Sequence, residues 1–223
     1  MSQERKSGGT GQRGRPREFD RDRALDQAVK LFWRRGYEGV STAALTRAMR
    51  IAPPSLYAAF GSKESLFIEA VERYALTQAT FIARAFEESQ TVRAGLERAL
   101  NEAAEEYAGG HKPPGCLVAN GLVACAKEHR RAARAVSVRR ALSLDFLRGR
   151  FDLAAANREI SPGTDTSALA RFYAAVIQGM SVQAADGASV NELRQIACAA
   201  MDAWPKRRQA PAPLRRRIWS ARL

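Results

Sequence analysis

Residues 53–67 read PPSLYAAFGSKESLF. Two prolines suit the first turn of a helix, where the missing amides are not needed by the hydrogen-bond ladder. Gly61 closes that helix after eight residues, and Ser62 opens another. Eight residues is short for a helix that must hold itself together, so tertiary contacts on one side have to stabilise it. Leu56 and Phe60, four apart, supply the anchored side. Pro54, Ser55 and Ala58 leave the other side small enough to approach a partner closely.

Upstream, Leu25, Ala28, Val29 and Phe32 fall at i, i+3, i+4 and i+7 and predict a helix that Asp20 caps and Gly36 ends. Ser41 or Thr42 caps a second short helix, with Leu45 and Ala48 or Met49 turned inward. Three short helices with a tight turn between the second and third describe a helix-turn-helix, whose third helix fits the DNA major groove. Downstream, Leu66, Phe67, Ala70, Val71, Tyr74, Phe81 and Phe86 predict one long helix over 62–89. Further helices are expected over 91–108, 115–126, 128–157, 165–185 and 190–204, separated by glycine, proline and serine clusters. No stretch alternates as a strand does. The expected fold is all-α, about nine helices, with a three-helix head over 19–61 and a larger bundle over 62–204. Residues 1–18 and 205–223 read as flexible basic segments outside it.

The net charge of +13 is unevenly placed. Residues 1–60 hold 12 Lys/Arg against 6 Asp/Glu, residues 205–223 hold 7 against none, and the stretch between holds 17 of each sign. A neutral body with two basic ends points to a polyanion at the ends, phosphate backbone above all. Composition alone equally allows a non-specific polyanion-binding helical protein. Cys116, Cys125 and Cys198 have neither the number nor the spacing of a disulfide framework or zinc site, and His111 and His129 are the only histidines. Neither HExxH, GxSxG nor a phosphate loop is present, so no enzyme, cofactor or metal is expected. No apolar run is long enough to span a membrane and no secretion signal opens the chain, which makes cytoplasmic residence the expectation.

The run STAALTRAMRIAPPSLYAAFGSKESLF, preceded by ALDQAVKLFWRRGYEGV, resembles the N-terminal DNA-binding domain of the TetR/AcrR family of bacterial transcriptional repressors. A helix ending F-x-x-x-G-Y, a Thr opening helix two, L-Y-x-x-F in helix three and x-K-x-x-L-F in helix four carry the likeness. The resemblance implies a homodimeric repressor on a palindromic operator, released when a small molecule binds the C-terminal helical domain. By the same implication Thr42 and Tyr57 reach DNA phosphates through their hydroxyls, Lys63 adds a charged phosphate contact, and Pro54, Ser55 and Ala58 face the bases. Such small side chains favour thymine-methyl contact and shape over bidentate pairing. Arg50 and Ala52 stand where the family usually has glycine and a Ser/Thr cap. Arg50 must then turn left-handed, or the turn is reshaped, and we expect it to reach a phosphate.

The sequence GRPR over 14–17 resembles an AT-hook core, and Arg15 and Arg17 are expected in the minor groove. In the body, the family's last two helices form the dimer interface, which implicates Ala174, Gln178, Gly179, Ala197 and Met201. Its ligand pocket lies among the earlier body helices and implicates Phe81, Tyr107, Cys116, Phe146 and Phe172. Cys116 opens the expected helix 115–126, where a helix N-terminus lowers a thiol pKa, so an oxidant- or electrophile-sensing regulator is an alternative.

Overall fold

The computed structural model describes residues 19–122 and 126–205. The described residues form ten α-helices and a 3-10 turn, with no strand among them. Arg15, Arg17 and the basic C-terminal clusters lie outside the described residues.

Helix α1 (Arg21–Arg35) starts on Asp20, whose carboxylate accepts from the Arg23 amide at 3.0 Å, and ends at Gly36 with φ +65°. Ser41 rather than Thr42 caps α2 (Thr42–Met49), accepting from the Ala44 amide. Helix α3 (Pro53–Phe60) begins without a side-chain cap, since Ala52 offers none, and stops at Gly61 with φ +76°. Leu45, Leu56, Phe32 and Phe67 close the small core between these helices and α4 (Lys63–Thr77). Phe32 and Phe67 meet edge to face at 5.0 Å. Salt bridges from Arg21 to Glu69 and from Arg73 to Asp26 fasten α1 along α4.

The single helix expected over 62–89 is two. Helix α4 ends at Thr77, and α5 (Phe81–Glu87) restarts after three residues. The Gln78 and Ala79 amides both fall back on the Tyr74 carbonyl, and the Thr77 hydroxyl takes that of Arg73. The bend lets α5 pack on α6 (Val92–Ala108), where Gly95 admits Phe86 so closely that a Cβ there would stand 2.8 Å from its ring.

The helix expected over 115–126 shrinks to α7 (Leu117–Asn120), four residues. The carbonyls that would carry it onward are taken by other partners. Arg140 donates to the carbonyls of Val118, Ala119 and Leu122 at 3.2–3.4 Å, and the Tyr37 amide takes that of Gly121 at 3.0 Å. A 3-10 turn (Lys127–His129) leads into α8 (Arg130–Ala156), and α9 (Thr166–Ala185) and α10 (Val190–Asp202) follow. Phe151, Tyr173 and Trp204 join α8, α9 and the end of α10, with the Tyr173 hydroxyl donating to the Ala200 carbonyl at 3.0 Å. No described helix is long and apolar enough to cross a membrane.

Candidate nucleic-acid interface and effector cavity

Helix α3 turns its two faces in opposite senses. Leu56 and Phe60 are buried, while Pro54, Tyr57 and Ala58 are exposed and Ser55 is half-buried. An aromatic ring that is 51% exposed on a helix otherwise lined by small residues has its hydroxyl free to meet a partner. Arg50 ends α2 at φ +57°, ψ +42°, the left-handed conformation that a non-glycine residue adopts only at a cost, and its side chain is exposed. Thr42 is half-buried one residue after the cap.

Lys63, the first residue of α4, lies with Nζ 4.2 Å from the centre of the Tyr37 ring. Partial burial there pulls its pKa below the ordinary lysine range, opposed by nearby Glu38. Tyr37 also faces His129, its hydroxyl 3.4 Å from Nδ1, and the imidazole Nε2 lies 3.8 Å from Glu38. Head and body thus meet through Tyr37, and a second tie comes from Trp33, whose indole donates to the Gly115 carbonyl at 3.0 Å. Gly115 has φ +74°, and a Cβ there would stand 2.6 Å from the Ser181 carbonyl, so only glycine fits. Ser181 accepts from the Cys116 amide at 2.8 Å. Residues 115–122 are therefore held by α1 on one side and by α8 and α9 on the other.

The same segment lines a cavity of about 270 Å³ in the body. Phe81, Tyr107, Cys116 and Phe146 all border it, as do Val118, Ala119, Leu147 and Ile177. Its two cationic neighbours are engaged: Arg139 Nε donates to Glu72 at 2.8 Å, and Arg140 holds the three carbonyls of the α7 segment. The Tyr107 and Tyr74 phenols lie beside the Cys116 thiol, and burial, then Cys116, pushes both phenols well above the usual tyrosine range.

The remaining expected residues fall on several parts of the body. Phe172 does not border the cavity; it is 43% exposed on the outer face of α9. Ala174 and Gln178, expected at the dimer interface, border the cavity, with Ala174 half-buried and Gln178 exposed. Ala197 and Met201, also expected at the dimer interface, are buried within the chain, where α10 packs on α6 and α9. Gly179 is half-buried, with open space where a Cβ would stand. Cys116 is buried and precedes a one-turn helix, with the Tyr107 and Tyr74 phenols beside it. Trp33, Arg140 and Ser181 were not foreseen. Ser181 is the one buried polar side chain among the described residues, but nothing in AVIQGMSVQAA distinguishes it from a surface serine.

A short, back-anchored helix carrying an exposed face, set on an all-helical body with its own cavity, defines a helix-turn-helix regulator. Residues 24–70 match the family model for bacterial regulatory proteins of the tetR family. Along 195 residues the chain is 37% identical to the HTH-type transcriptional repressor ComR of Escherichia coli, covering 87% of this chain and 93% of that one. It is 31% identical to the repressor BdcR of the same organism, over 85% of this chain and 91% of that one. Among solved structures, a cysteine mutant of the TetR family regulator CifR complexed with 26-base-pair double-strand operator DNA superposes with a TM-score of 0.82 at 41% identity, covering 86% of this chain and all of that one. The chain belongs to the TetR family of bacterial transcriptional regulators.

Proposed function

We propose that the protein is a cytoplasmic transcriptional repressor that binds a palindromic operator as a homodimer through α3 and leaves it when a small molecule fills the body cavity. The observation that carries this reading is the free face of α3, with Pro54, Ser55, Tyr57 and Ala58 outward, Arg50 before it and Lys63 after it. Tyr57 and Thr42 meet phosphates through hydroxyls, Lys63 and Arg50 through charge, and the small residues read thymine methyls and groove shape. On the outer face of α9, Phe172 and Val182 are exposed on either side of Ala175 and Gly179, an apolar strip suited to a second copy.

The cavity walls are mostly apolar and both arginines beside it are engaged, so it favours an uncharged, largely apolar effector. Such a molecule presses on Cys116, Val118 and Ala119, which the Trp33 and Tyr37 hydrogen bonds connect to the head. It releases DNA only by as much as it prefers the state in which the two α3 helices no longer match the groove spacing. Two such helices must lie about one DNA turn apart or a multiple of it, roughly 34–36 Å per turn.

Selection from a pool of random-sequence duplexes tests the reading. Enrichment of an inverted repeat, lost in Tyr57→Ala, is expected. Salt-sensitive binding with no enriched sequence would instead assign the chain to non-specific polyanion binding.

A further inference from the structure

We propose that the body itself touches the operator: Arg130, Arg131 and Arg134, at the start of α8, continue the phosphate-binding surface beyond the helix-turn-helix head. The proposal rests on the DNA-binding reading above and adds a contact from outside helices α1–α4.

Two pairings fix where these arginines lie. Glu64, the second residue of α4, accepts from the Ala132 amide at 3.2 Å and lies 3.7 Å from Arg131. Glu72, two turns further along α4, pairs with Arg139, two turns further along α8. The two helices therefore run side by side in the same direction. The first turn of α8 stands level with the first turn of α4, which begins at Lys63. His129, one residue before α8, lies against Tyr37, over whose ring Lys63 sits. Through Tyr37 and His129, Lys63 and Arg130 are brought to the same corner of the molecule.

The arginines are turned outward. Ala132 and Val136 bury the inner face of α8, while Arg130 and Arg134, four apart, share the opposite face and are exposed. Neither makes an ion pair or hydrogen bond among the described residues. Arg131 is 76% exposed although its partner Glu64 is only 18% exposed, so the carboxylate faces in and the guanidinium faces out. The other acids of this corner are Glu38, held beside His129, and Glu128, exposed in the turn before α8. The first turn of α8 contains no acidic residue. Placing three arginines where the helix dipole is positive is unfavourable for the free protein and becomes favourable when an anion sits against them. A duplex laid on α3 and Lys63 supplies that anion in its phosphates.

The contact has a regulatory consequence. Helix α8 also borders the cavity through Leu142, Ser143, Phe146 and Leu147. An effector that shifts α8 withdraws the arginines directly, in addition to moving the head.

The test uses the full chain and two fluorescent duplexes, one selected from the random pool and one of scrambled sequence, titrated at several salt concentrations. Arg130→Gln/Arg134→Gln removes two cations that have no intramolecular partner among the described residues, and unchanged thermal unfolding verifies that the fold is kept. Affinity for both duplexes is expected to fall about tenfold at low salt, with the slope of log K against log salt shallower by about two, since phosphate contacts are sequence-blind. Arg130→Lys/Arg134→Lys should retain most of the binding. Arg148→Gln/Arg171→Gln, an equal charge loss whose α8 member lies about 27 Å along the helix from Arg130, should leave the slope unchanged. Unchanged affinity and slope in the Gln pair at positions 130 and 134 would overturn the proposal, as would an equal loss in the distant pair, which would indicate net charge alone. Absence of duplex binding by the wild-type protein would overturn the repressor reading and this proposal together.

Discussion

Two short helices, α3 and α7, are both bounded by glycine, yet they are short for opposite reasons. Helix α3 is stopped by its own sequence: Pro53 starts it, Gly61 turns the chain away, and Pro54, Tyr57 and Ala58 are left exposed. Helix α7 is stopped by its neighbours. Arg140 from α8 and Tyr37 from the end of α1 take the carbonyls that a longer helix would use, and its side chains face a cavity. A helix that ends by local rule can present a face to an outside partner. A helix that ends because others hold it is a joint, and this one joins the cavity to the head.

Removing one of those holds is the strongest way to break the contrast. Arg140→Met strands three carbonyls in partly buried positions and is expected to destabilise the fold by about 3 kcal/mol, read as a lowered denaturant midpoint. An equal-sized loss cannot come from the outer face of α3, where Ala58→Ser should leave the midpoint in place. Next in size is Gly115→Ala, which combines a left-handed backbone with a Cβ in contact with the Ser181 carbonyl; about 2 kcal/mol of stability should be lost in the same assay. On the reading helix the expected effects move from stability to binding. Tyr57→Phe, which removes one exposed hydroxyl, should weaken binding to the selected duplex by about 1 kcal/mol while thermal unfolding stays unchanged. Arg50→Gly is the smallest and has two signs. Relief of the left-handed arginine should raise stability by about 0.5–1 kcal/mol, while the salt dependence of DNA binding becomes shallower by about one phosphate contact. Higher stability with an unchanged salt slope would leave Arg50 a turn residue only.

The contrast also explains what could be read from the sequence. The head was legible because Asp20, Gly36, Ser41, Gly61 and Ser62 act within a few residues of the helix ends they set. The break at 78–80 was hidden because Tyr74 and Phe81, seven apart, remain on the same helical face whether or not the chain is continuous. The end of α7 was hidden because its causes, Tyr37 and Arg140, stand about 80 residues upstream and 20 downstream. In α9 both sides are apolar, so periodicity gave no way to decide that Ala174 and Gln178 face the cavity while Phe172 faces out. Trp33 and Tyr37 were legible as core aromatics, but their hydrogen bonds to Gly115 and Gly121 belong to tertiary geometry.

The coupling of reader to cavity through residues 115–122 is tested most directly by amide hydrogen exchange, with and without the selected duplex. Binding at α3 is expected to slow exchange at Tyr37, whose amide holds the Gly121 carbonyl, and at Cys116, whose amide is bonded to Ser181 behind the cavity wall. Slowed exchange confined to α1–α4, with Cys116 unchanged, would contradict the account.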